Sequence, residues 1–168
     1  MVRRILIALA MLATSATLEA RTMKVPDDVT AAITAIIDGE TAAWNRGDAA
    51  AFAAVTTDDV VFTNIIGMFT VGRAPFEAQH ARIFATIYHG STMRQTIEHI
   101  ALVRPDVAIV DTLTGVSGFA ALPPGVDAAD GALHTRLEQV MVRDGTTWRV
   151  AAFHNVVVNA RALAAIPK

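Results

Sequence analysis

The sequence predicts an α+β fold, with helices packed against one curved antiparallel sheet. Apolar residues recur at helical spacing through the first half, at Val29, Ile33, Ile36, Ile37 and Trp44 and again at Phe76, Ile83, Phe84 and Ile87. The second half is dominated by long β-branched segments separated by turn dipeptides. Order is the third observation: three helices, with a strand pair before the third, then four long strands in succession. A chain of 168 residues suits a single domain and can bury about two-thirds of its unfolded surface.

The elements follow in order. Residues 1–20, MVRRILIALAMLATSATLEA, have the form of a secretory signal peptide: Arg3 and Arg4 supply the positive end, and 5–13 form a short apolar run. Spanning a bilayer takes about 20 apolar residues, more than this run offers. Cleavage can be drawn after Ala16 or after Ala20. The expectation is therefore a signal over 1–20 and one exported domain over 21–168, periplasmic or secreted and not membrane-bound after cleavage. Pro26-Asp27-Asp28 opens the first helix with acidic groups at its positive end, and Arg46-Gly47 closes it. Asp48 can cap a short helix over 49–55. A turn is expected at 56–59 and strands at 60–66 and 68–71, the latter bracketed by Gly67 and Gly72. A third helix starts near Pro75 and runs to about 88, where His89-Gly90 ends it. Strands over 92–104 and 107–119 meet at Pro105-Asp106. A loop over 120–132 precedes strands over 133–143 and 148–159, which flank the hairpin signal Asp144-Gly145.

Composition excludes several functions. With no cysteine, there are no disulfides, thiolate metal sites or cysteine nucleophiles. Fourteen Lys and Arg against sixteen Asp and Glu, with no basic cluster beyond Arg3-Arg4, argue against nucleic acid as a partner. An apolar share of 53% and a net charge of −2 exclude disorder. His89, His99 and His134 lack the spacing of a metal-binding pair, and no glycine-rich dinucleotide fingerprint or flavin motif is present, so no metal or cofactor is expected.

The stretch AAWNRGDAAAFAAVTTDDVVFTNIIG is similar to the opening signature of the NTF2-like superfamily, particularly its SnoaL-like members. VGRAPFEAQHARIF, LVRPDVAIV and RDGTTWRVAAFHN match further, and together they resemble the subgroup called SgcJ/EcaC-family oxidoreductases, over about 29–158. The resemblance implies an NTF2-like (cystatin-like) cone, a bent sheet wrapped on helices with a small-molecule pocket at its wide end. It also implies a homodimer formed through the outer face of the sheet. Isomerases of the superfamily use a tyrosine and two aspartates, and dehydratases use His, Asp and tyrosines. This chain has one tyrosine, and neither set is complete.

Candidate chemistry falls to a few residues. His80 lies four residues after Phe76 and four before Phe84, so it faces inward, either as a core histidine hydrogen-bonded to the sheet or as a pocket imidazole that can act as acid or base. In the last strand Trp148, Val150, Ala152 and His154 alternate with Arg149, Ala151, Phe153 and Asn155. Either face can line the cone, which offers His154 or Asn155 to the pocket. Asp111 stands among apolar neighbours, as a pocket carboxylate or as the ion-pair partner of Arg136. His80, Asp111 and His154 are the catalytic candidates, and Asn64, Tyr88, Glu138 and Asn155 the substrate-binding ones. Two functions follow: an enzyme moving protons on a small hydrophobic substrate, or a binding module that uses the same cavity without turnover.

Overall fold

The computed structural model describes residues 24–159, so the signal expected over 1–20 lies outside the described residues. Helix α1, Asp27–Asn45, buries Val29, Ile33, Ile37, Glu40 and Ala43 on one stripe. It ends where Gly47 turns to φ +65°. There the amide of Asp48 donates to the Ala43 carbonyl (2.9 Å) and that of Gly47 to Trp44 (2.8 Å), a Schellman closure. The Asp48 carboxylate then accepts the Ala51 amide (2.9 Å) and starts α2, Ala49–Ala54. Two adjacent residues, Gly47 and Asp48, thus set the corner between the first two helices.

Strand β1, Thr56–Thr63, begins earlier than the expected turn allows and ends earlier than the expected strand. Asp58 and Asp59 are poor strand formers, but pairing with the last strand overrides propensity. A register irregularity between Thr56 and Val61 absorbs them, and Asp58 meets Arg73 at 3.0 Å. The strand stops because the Asn64 side-chain oxygen accepts the amides of Ile66 (3.0 Å) and Met68 (2.9 Å) in place of a sheet partner. β2, Phe69–Val71, folds back on β1. α3, Arg73–Phe84, is shorter than expected. Beyond it the chain runs in turns to Gly90, and Tyr88 turns inward against Trp44, ring centres 5.3 Å apart.

β3 (Thr92–Arg104), β4 (Val107–Ser117), β5 (Ala132–Asp144) and β6 (Thr147–Val157) form the expected antiparallel run. Two-residue turns close its two hairpins, at Pro105-Asp106 and at Gly145-Thr146, where Gly145 adopts φ +60°. The six-stranded order is β2-β1-β6-β5-β4-β3. One pair departs from the antiparallel expectation: β1 lies parallel to β6. The inner face of the sheet carries Ala108, Val110, Leu137, Met141 and Phe153 against the helices, and the core sits between these layers.

Candidate functional site

A cavity of about 170 Å³ opens at the end of the sheet where β4 and β6 finish and β3 and β5 begin. Its wall is mostly aromatic and aliphatic. Trp44 of α1, Phe52 of α2, Phe62 of β1 and Phe76 of α3 surround it, and Ile65, Ile66 and Met68 lie along it from the β1–β2 loop.

His80 is the one histidine on this wall. The spacing of α3 brings it inward, and it is 4% exposed. Its ring centre lies 4.2 Å from that of Phe76, 4.7 Å from Phe52 and 5.4 Å from Phe62. Nδ1 stands 2.8 Å from the Phe76 carbonyl oxygen. A carbonyl only accepts, so Nδ1 carries the proton and Nε2 keeps its lone pair. Burial among aromatic rings disfavours the imidazolium and pulls the pKa down to about 4, against a smaller upward effect of that hydrogen bond. His80 is therefore neutral at physiological pH and presents an acceptor.

Tyr88 and Asn155 also line the cavity, as does Asn64, whose oxygen is committed to the loop amides. Burial pushes the Tyr88 phenol up to about 12. Asp111, Glu138 and His154 stand elsewhere. Inward residues of β4 and β5 are buried at Val110, Thr112, Leu137 and Gln139, so Asp111 and Glu138 between them face the outside of the sheet. The two-face description of the last strand needs correction at one point. Val140 pairs with Ala152 but Met141 with Val150, so Ala151 is an extra residue. Before this bulge Trp148 and Val150 point inward; after it Phe153 is buried and Asn155 lines the cavity. His154 is exposed. Neither simple alternation survives: the Trp148 face and the Asn155 face are both inward.

His99, Asp111, Glu138 and His154 are successive cross-strand partners, forming one lateral row on the outer face. Among the described residues no three His, Asp or Glu side chains are arranged to hold a metal ion. The Arg136 guanidinium pairs with Glu98, not with Asp111 as the sequence suggested. The structure thus brings His80, Tyr88, Asn64 and Asn155 to one cavity and separates Asp111, Glu138 and His154 from it.

Sequence reasoning missed a buried acid beside this cavity. Glu40 is fully buried, and its Oε2 accepts from the Gln139 amide at 2.9 Å and from Gln95 at 3.3 Å. Desolvation raises its pKa to about 7, partly offset by those two donors. The Gln95 oxygen accepts from the hydroxyls of Thr112 (3.4 Å) and Thr114 (3.5 Å), and Gln95 and Thr114 reach the cavity wall. A signal was present: Ile33, Ile37, Glu40 and Trp44 share one helical stripe, and an acid on an apolar stripe asks for a partner.

Residues 37–159 match the family of SnoaL-like domains. A protein with a cystatin-like fold from Caulobacter vibrioides superposes with a TM-score of 0.71 at 26% identity, covering 80% of this chain and 93% of that one. A domain with a cystatin-like fold from Nostoc punctiforme gives 0.70 at 20% identity, covering 83% and 84%. A ketosteroid isomerase-like protein from Erwinia carotovora atroseptica gives 0.62 at 19%, covering 80% and 99%. No curated protein matches the sequence.

Proposed function

We propose that this chain, which belongs to the family of SnoaL-like domains, binds a small hydrophobic molecule in its cone and does not turn it over. One observation carries this reading. Among the described residues no Asp or Glu lines the wall that holds His80: Glu40 lies behind Gln95, off the wall, and the other catalytic candidates, Asp111 and His154, stand on the outer face. A neutral imidazole of lowered pKa is a weak base at pH 7 but a good hydrogen-bond acceptor. The test is to extract the purified protein, identify any retained molecule by mass spectrometry, and add it back. The expected result is a rise in the unfolding midpoint with no chemical change in the ligand; conversion to a product overturns the reading. A second reading is an enzyme in which His80 Nε2 takes a proton from the substrate, favoured by the Phe76 carbonyl, which fixes the tautomer that leaves Nε2 free. It requires a discovered turnover to be abolished in His80→Ala.

We also propose export, supported by the form of residues 1–20. N-terminal sequencing of the extracytoplasmic protein should begin after Ala16 or Ala20. The segments VGRAPFEAQHARIF and RDGTTWRVAAFHN support a place in the SgcJ/EcaC-type subgroup. A homodimer through the outer sheet face is supported by Ile109, Leu113 and Val140, incompletely covered there, and by Val156, 55% exposed. Leu113→Asp is expected to shift sedimentation to the monomer.

A further inference from the structure

The cavity is small, uncharged inside and short of hydrogen-bond partners. These properties together restrict what it can hold. Its volume of about 170 Å³ is close to that of a cavity of roughly 150 Å³ that admits one benzene ring. Among the described residues no Asp, Glu or Lys lines it, and the one arginine, Arg82, is exposed. An ionised ligand would lose its hydration among Phe52, Phe62 and Phe76 with no counter-charge, a cost that neutral molecules avoid.

Three polar groups on the wall are unpartnered. Gln79 Oε1 of α3, Thr135 Oγ1 of β5 and Asn155 Oδ1 of β6 are buried without a hydrogen-bond partner, and all three residues line the cavity. Asn155 pairs across the strands with Leu137, and Thr135 sits two residues away on the same face. Such diagonal neighbours lie within reach of one small molecule. Gln79 Oε1, Asn155 Oδ1 and His80 Nε2 are acceptors drawn from a helix and a strand, and the Thr135 hydroxyl of a second strand can accept as well as donate. Buried polar groups in folded proteins have partners, and an acceptor left alone beside a cavity is completed by whatever occupies it.

We propose that the cavity takes an uncharged molecule the size of a single ring that presents a hydroxyl or N–H donor to these acceptors, phenol being the simplest example. This rests on the ligand-binding reading above and narrows it to a class. The experiment compares four probes of similar size on the purified full chain by thermal unfolding and calorimetric titration: phenol, toluene, benzoate and benzylamine. Phenol should raise the unfolding midpoint and bind at least about tenfold more tightly than toluene, the difference one unpaired buried acceptor produces. Benzoate and benzylamine, both charged at pH 7, should give no shift. In Asn155→Leu and Gln79→Met the preference for phenol should fall while toluene binding persists, and toluene binding itself reports an intact cavity.

Equal affinity for toluene and phenol overturns donor recognition and leaves the ligand-binding reading standing. Tighter binding of benzoate or benzylamine overturns neutrality. If none of the four binds but 1-naphthol or another larger apolar probe does, the ring-sized class fails and the binding reading survives. Failure of every probe, large and small, overturns both.

Discussion

His80 and Glu40 are both buried, burial favours the neutral form of each, and they act on stability in opposite directions. The folded pKa of Glu40 lies near 7, above the ordinary 4.5. Its stabilising effect is complete below pH 4.5 and is lost as the pH rises through 7. The folded pKa of His80 lies near 4, below 6.5. Its effect is complete above pH 6.5 and is lost as the pH falls through 4. Each displacement corresponds to about 3 kcal/mol between the ends of its window. In Glu40→Gln, chemical denaturation at pH 8 is expected to show a gain of up to about 3 kcal/mol over the parent, with little change at pH 4.5. A loss at pH 8 would mean that the ionised carboxylate is well accommodated by Gln95 and Gln139. The position of His80 was legible because helical spacing is regular. Glu40 could be seen as an acid on an apolar stripe, but its partners Gln95 and Gln139 lie 55 and 99 residues away, and local patterning carries no information at that range.

Among the elements, corners and hairpins were read well because their chemistry is local: a Gly-Asp pair that closes one helix and caps the next, and two-residue turns between strands. Alternation was less reliable. The inner face of β6 changes parity at Ala151, and β3 shifts similarly between Ile97 and His99. A bulge adds a residue without any composition signal of its own, so a parity rule gives the wrong side for everything beyond it. That is why His154 and Asn155 could not be assigned from sequence. α1 and β3 are tied by one side chain: the Asn45 amide accepts from the Met93 N–H at 2.7 Å and donates to the Met93 carbonyl at 3.2 Å. Asn45→Ala leaves both backbone groups to find other partners. It should cost about 1–3 kcal/mol in a urea unfolding experiment. A change below about 0.5 kcal/mol would place these bonds with ordinary surface contacts.

For the whole molecule, the two buried ionisable groups combine. Between pH 4.5 and 6.5 the loss from Glu40 and the gain from His80 run with equal and opposite slope. The parent protein should therefore show nearly constant stability from these groups across that interval. Removing either one tilts it: Glu40→Gln should lose stability toward acid and His80→Phe toward base. Parallel profiles for the parent and both variants would show that neither group is held neutral by the fold. Fold class was legible at this scale because helices and long strands occupy separate halves of the chain. The parallel β1–β6 pair was not, because it joins segments some ninety residues apart with no turn to announce it.

That pair has a consequence for how the protein is made. Among the described strands β6 comes last in the chain, yet it lies in the middle of the sheet, between β1 and β5. Until residues 147–157 have emerged, β1 and β2 have no neighbour to join and the sheet stays split in two. Contacts so distant in sequence form late and slowly. Folding of the whole sheet therefore waits on one central strand, and a chain lacking its pairing keeps the two parts of the sheet apart.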